Sequence, residues 1–379
     1  MALAVVFIIL FGTAALVPAV WSIIGLIGGN TKFWPCVAGT GFALILLIIT
    51  LIGIFTNWGG CPVTCDKAGN CGSSEGSIQC FQKNAKGDWV KQCEPDVWKE
   101  ECKQSVSCVP DPKKPQTSFP IAAGQHCPTG ANWTTVYSFC EPIQTGGVKQ
   151  PWATWSDLSF LASGLWLLWL FQYFGTWPSL LGNEGDNPMS SITVLSVVYC
   201  FIVIFMGPPS MWYHASMKSL GGWFDTMSVV AWLGFNASYV AYLFFAGVKG
   251  NGRDGWWQPG VVLGVWIGVS VLCGILAAVT SLPSLVYYFF TGGGWGIAEL
   301  AYVIRAQRNS PDVKYRRNWR LTLTNVLVLA ATMGVWIGFN DGIVKQHCST
   351  GFPGHALFHI LASVSTMLTY FSFSSEQHV

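Results

Sequence analysis

Gly354-His-Ala-Leu-Phe-His-Ile-Leu361 opens the last long apolar stretch of this chain, which runs on to about residue 373. Some 20 predominantly apolar residues are what a helix needs to cross a hydrocarbon core, so the segment reads as a transmembrane helix. His355 and His359 stand four apart at its head, and residues so spaced share one helix face. A lone His-x-x-x-His is a weak signal, because most such pairs make ordinary hydrogen bonds. A second apolar segment strengthens it. Gly207-Pro-Pro-Ser-Met-Trp-Tyr-His214 places Ser210 and His214 four apart, and Asp225 follows eleven residues later. Ionisable groups in membrane helices are costly and default to functional candidates, and imidazole is the commonest protein metal ligand.

Composition supports a membrane protein. The 379 residues are 51% hydrophobic and only 10% charged, far from the roughly one-quarter charged of a soluble domain. Twenty tryptophans suit a chain with many membrane interfaces. A net charge of +2 and the lack of a basic stripe interleaved with aromatics exclude a nucleic-acid partner. Nine of the thirteen cysteines fall between Cys61 and Cys140, whereas Cys200 and Cys273 lie in apolar runs. That clustering reads as a disulfide-stapled module in an oxidising compartment, with its connectivity left open.

Nine apolar stretches read as membrane helices, at about 2–28, 34–56, 153–174, 190–208, 222–247, 257–277, 282–304, 320–340 and 354–373. The chain divides accordingly. Residues 1–56 form two N-terminal transmembrane helices, and 57–150 a cysteine-rich extramembrane domain. Residues 151–373 form a seven-helix core, and 374–379 a cytoplasmic tail. The first stretch lacks a basic n-region and exceeds the ~7–15 residues of a signal-peptide core, so it is expected to remain as a helix.

The loop 305–320 holds six Lys/Arg against one Asp, which places it in the cytoplasm. Counting helices back puts 57–150 on the lumenal or extracellular side, where disulfides persist and where Asn132-Trp-Thr134 would accept a glycan. Cys348 falls on that same face, available to the odd ninth cysteine. The expected location is integral to a membrane of the secretory pathway: endoplasmic reticulum, Golgi or plasma membrane. Ser210, His214, Asp225, His355 and His359 then all lie near the outer ends of their helices, with a loop of about a dozen residues joining His214 to Asp225.

Three neutral imidazoles with an open fourth position describe a catalytic zinc site, since structural zinc is usually closed by four protein ligands. Zinc lowers the pKa of a bound water to about 7 and polarises a carbonyl. Asp225 is the candidate general base or ligand-orienting carboxylate, and Ser210 a hydrogen-bond donor to the water or to a developing oxyanion. Asp157 either belongs near the metal or caps a helix start against its dipole. Glu299 pairs with a neighbour or reaches for the cytosolic interface. Asn236-Ala-Ser238 lies within a helix and is no glycan acceptor. His126, His347 and His378 have no comparable context.

Ser210-Met-Trp-Tyr-His-Ala-Ser-Met217 with Asp225, and Gly354-His-Ala-Leu-Phe-His-Ile-Leu361, resemble the second and last core helices of the alkaline ceramidase superfamily. That group also contains adiponectin-receptor-like and GPI-remodelling members. The resemblance covers about residues 151–373. It implies a seven-transmembrane-helix core with Zn2+ held by His214, His355 and His359, and Ser210 and Asp225 around the attacking water. It further implies a lipid substrate, most directly the N-acyl amide of ceramide. Two alternatives stay open: a GPI-anchor or phospholipid acyl hydrolase, and a non-catalytic seven-helix receptor or scaffold with a metal site. Ceramidases carry a Glu and an Asn around a Trp in the first core helix, the Glu serving a calcium site. Trp152-Ala-Thr-Trp-Ser-Asp-Leu-Ser-Phe160 has neither, so calcium is not carried over. The acidic residue that follows the Asp in ceramidases is Thr226 here. The first two helices and the cysteine-rich domain lie outside the resemblance.

Overall fold

Apolar stretches of this length have no way to satisfy their backbone in hydrocarbon other than by closing it into helices, and helices are what they form. The computed structural model describes residues 2–30, 33–55, 81–83, 89–91, 137–138, 141–142, 148–173, 189, 193–216, 219–246, 259–280, 284–307, 315–340 and 354–378. Its helices are α1 (Ala2–Ile27), α2 (Trp34–Phe55), α3 (Pro151–Ser156), α4 (Leu158–Tyr173), α5 (Val194–Ser216), α6 (Ser219–Ala246), α7 (Pro259–Val279), α8 (Ser284–Gln307), α9 (Trp319–Asn340) and α10 (Gly354–Ser374). The described strands are short antiparallel pairs: β1 (Phe81–Lys83) with β2 (Trp89–Lys91), β3 (Tyr137–Ser138) with β4 (Glu141–Pro142), and β5 (Tyr315–Arg316) with β6 (Gln377–His378). The fold is all-α.

Helices occupy all nine expected stretches, and among the described residues seven are long and apolar enough to cross a membrane. Those seven are not the seven of the expected core. They include α1 and α2 and omit two core stretches. The stretch 153–174 is broken at Asp157 into the six-residue α3 and the 16-residue α4. α8 is diluted by Tyr287, Tyr288, Gly292–Gly294 and Glu299. Large apolar side chains such as Leu10, Leu16 and Ile24 are more than half exposed, which suits lipid rather than water. The protein is membrane-embedded.

Two boundaries differ from expectation. α5 does not stop near residue 208 but continues through Pro208 and Pro209 to Ser216. Membrane helices accommodate proline where neighbouring elements support the backbone, and here Thr50 of α2 donates its hydroxyl to the Pro208 carbonyl at 3.0 Å. The expected loop of about a dozen residues between His214 and Asp225 is also mostly helix. α5 ends at Ser216 and α6 begins at Ser219, so Asp225 lies well over a turn inside α6.

The core sits where α4, α5, α6 and α10 meet. Tyr199, Phe235, Tyr239 and Phe373 are fully buried there. The Tyr199 hydroxyl donates to the Thr366 carbonyl at 2.6 Å and accepts from the Trp232 indole at 3.0 Å, so the polar tips of these large rings are satisfied. α1 packs on α3 and α4, and α2 on α4 and α5. A Cβ on Gly53 of α2 would meet the Trp212 ring at 2.2 Å. The N-terminal pair is thus packed into the bundle.

At one end of α10, Arg317 pairs with Glu299 of α8 and with Glu376. Its guanidinium lies 4.7 Å from the ring centres of both Tyr302 and Phe373. Glu299 is therefore structural, as expected. The β5–β6 pair joins the basic loop 305–320 to the residues that follow α10. Both lie opposite the His355 end of α10, some 30 Å away at 1.5 Å per residue. Most of the cysteine-rich domain, Asn132, Cys348, His126 and His347 lie outside the described residues. Cys36, Cys200 and Cys273 are free thiols. Asn236 is buried inside α6, in keeping with its exclusion as a glycan acceptor.

Candidate metal centre

His214, in the last turn of α5, and His355 and His359, in the first two turns of α10, converge. Ring centres are 4.8 Å apart for His214 and His355, 5.0 Å for His214 and His359, and 4.5 Å for His355 and His359. One ring nitrogen from each lies within 4.8 Å of the other two. The three side chains are almost wholly buried. Nε2 of His214 and Nε2 of His355 are 3.2 Å apart. Nitrogens on a tetrahedral metal with bonds of about 2.0–2.1 Å are separated by about 3.3 Å, so that pair already has ligand spacing.

The far side of two rings fixes which nitrogen is available. Nδ1 of His214 lies 2.7 Å from Oε1 of Gln150, an oxygen that can only accept. Nδ1 of His359 faces Oδ1 of Asp157 at 3.0 Å, Oγ of Ser156 at 2.9 Å and the Ala153 carbonyl at 3.2 Å. The Ser156 hydroxyl donates its own proton to Ala153, leaving it to accept. Both Nδ1 atoms therefore carry the proton and donate it. Nε2 of each ring keeps its lone pair, and that of His214 faces Nε2 of His355. This is how ligating histidines are oriented in metal sites, and the residues present fit a metal ion.

The two sequence-expected partners stand close by. Ser210, one turn before His214 and buried, lies close to the carboxylates of both Asp157 and Asp225. Close helix approach makes this possible. A Cβ on Gly207 would lie 2.9 Å from the Asp157 carbonyl and 2.3 Å from Leu161, so only glycine lets α5 draw Ser210 against the α3–α4 junction. Asp225 also acts electrostatically on His359. All five expected site residues are thus gathered at one end of the bundle.

Of the two readings of Asp157, its side chain follows the one beside the histidines: although Asp157 directly precedes α4, its fully buried carboxylate faces His359 and makes no hydrogen bond to the first N–H groups of that helix. Sequence reasoning missed Gln150, Ser156, the Ala153 carbonyl and Glu141. Proline at the first helical position marks α3, but nothing in the pattern says that the residue before it turns to a histidine 64 positions later.

Fold and site together define a polytopic helical membrane protein with a buried three-histidine centre able to hold a metal ion. No protein-family model matches the chain. No curated protein matches its sequence either.

Proposed function

We propose that this chain is a zinc-dependent intramembrane lipid hydrolase of the alkaline ceramidase superfamily, cleaving the N-acyl amide of a ceramide-type lipid. The single observation that carries the reading is the convergence of His214, His355 and His359 with Nδ1 donors engaged behind two of them. Three neutral imidazoles suit zinc and leave a fourth position open. A zinc ion held there supplies acidified water at neutral pH and a Lewis acid for an acyl carbonyl.

The chain's own residues do the rest. Gln150 and Asp157 hold the His214 and His359 rings in the tautomer that keeps Nε2 free. Asp225 receives a proton from the attacking water and returns it to the leaving amine. Ser210 donates a hydrogen bond to the oxygen that gains charge. Neither Ser210 nor Asp225 is needed to hold a metal, and their presence favours an enzyme over a receptor or scaffold. The substrate enters sideways from the bilayer, its polar head at the end bearing the centre. That end is lumenal or extracellular, and the Arg317 end cytoplasmic, following the charge of the 305–320 loop.

Purified protein incubated with ceramides, GPI lipids and phospholipids should release fatty acid from ceramide. The His355→Ala variant should lose both zinc and turnover. Release from phospholipid or GPI lipid alone would reassign the substrate, and full turnover in His355→Ala would end the metal mechanism.

A further inference from the structure

Glu141 stands ten residues before the start of α3 at Pro151, at the trailing edge of the cysteine-rich region, yet its carboxylate is buried against that helix. It is 3% exposed. Oε1 accepts the Trp152 N–H at 2.5 Å and Oε2 the Ala153 N–H at 2.9 Å. These belong to the first turn of α3, whose N–H groups have no acceptor within the helix. Ordinarily the N-cap side chain would serve them. Here the N-cap is Gln150, which makes no cap hydrogen bond, because its amide oxygen is turned to Nδ1 of His214. The cap has been reassigned to Glu141, and the residue so released orients a metal-site histidine.

α3 needs such an anchor. Six residues form far too short a helix to hold together alone, but this one carries much of what His359 leans on: the Ala153 carbonyl, the Ser156 hydroxyl and, at its end, Asp157. The adjoining backbone is pinned too. Lys149 and Gln150 donate their N–H groups to the carbonyls of Ala215 and His214 at 2.9 and 3.0 Å, closing the end of α5. Glu141 thereby fixes the start of an element that reaches two of the three histidines.

We infer that Glu141 is a positioning residue of the metal centre, acting through α3 on His359 and through Gln150 on His214. It makes the trailing edge of the cysteine-rich region part of the site's scaffold. The inference rests on the metal-centre reading above, and the experiment separates the two.

Full-length protein is titrated with Zn2+ against a chromophoric chelator, and with Co2+ while the ligand-field absorption is recorded. Wild type should take up one ion. Glu141→Ala should bind zinc about 10-fold more weakly with an altered cobalt spectrum. Glu141→Gln, which keeps one strong acceptor, should fall between the two. Loss of a helix cap alone would lower thermal stability without changing the cobalt spectrum. Wild-type affinity and spectrum in Glu141→Gln and Glu141→Ala would overturn the positioning role and leave the metal centre standing. If Glu141→Ala does not fold, Glu141→Gln decides by the same two readouts. A wild-type protein that binds neither ion would overturn the metal-centre reading, and this role with it.

Discussion

Oδ1 of Asp157 lies 3.0 Å from Nδ1 of His359, with both side chains almost wholly buried. A carboxylate behind a ligating imidazole fixes its tautomer and raises its basicity, and removing one typically costs 10–100-fold in metal affinity. Asp157→Asn keeps the shape and loses the charge. We expect its zinc dissociation constant, from chelator competition, to rise by about that factor while His355→Ala binds none. An unchanged constant would reduce Asp157 to a packing residue.

Gly207 is where α5 comes closest to the α3–α4 junction. An alanine there drives its Cβ to 2.9 Å from the Asp157 carbonyl and 2.3 Å from Leu161, and backbone cannot yield as a side-chain tip can. Gly207→Ala should destabilise the protein by about 1–3 kcal/mol. It should also weaken zinc, because the shift moves His214 of α5 away from Gln150 and from the histidines of α10. Thermal unfolding in detergent and a zinc titration report the two effects separately. A variant with a wild-type midpoint would contradict the close contact.

Arg317 ties α8 and the chain's end together through Glu299 and Glu376. Removing one partner of a buried charge cluster costs about 3–5 kcal/mol, since the remaining charges stay desolvated. Arg317→Met should lower the thermal midpoint sharply yet leave the stoichiometry of bound zinc unchanged, the centre being at the other end of α10. Adding Glu299→Gln and Glu376→Gln should recover part of the loss. No recovery would mean the cation–ring contacts with Tyr302 and Phe373 dominate.

Burial pushes the Glu141 carboxyl up to about 7, only partly offset by the N–H groups of Ala153 and Trp152. The folded state thus favours the protonated acid. Its contribution is fully present below the ordinary value of 4.5 and is lost as pH rises through about 7. A rise of that size corresponds to about 3 kcal/mol at most. The thermal midpoint should fall from pH 5 to pH 8, with a slope that is shallower in Glu141→Gln. Parallel slopes in the two proteins would rule out Glu141 as the titrating group.

Hydrophobic length and histidine spacing needed no structure to be read. Each of the nine apolar stretches carries its helix in its own composition, because a backbone in hydrocarbon must close its hydrogen bonds locally. The i, i+4 pairs His355–His359 and Ser210–His214 are likewise local facts of helix geometry. Other features depend on contacts between distant parts of the chain. That α5 runs through Pro208-Pro209 rests on packing that includes Thr50 of α2. That Asp157 turns to His359 rather than capping a helix depends on α10 lying beside α3. The pairing of Gln150 with His214 joins residues 64 positions apart in sequence, and that of Glu141 with the start of α3 joins residues 11 and 12 apart. Periodicity records which face of a helix is apolar, and it carries no trace of which polar group a buried imidazole will find across the bundle.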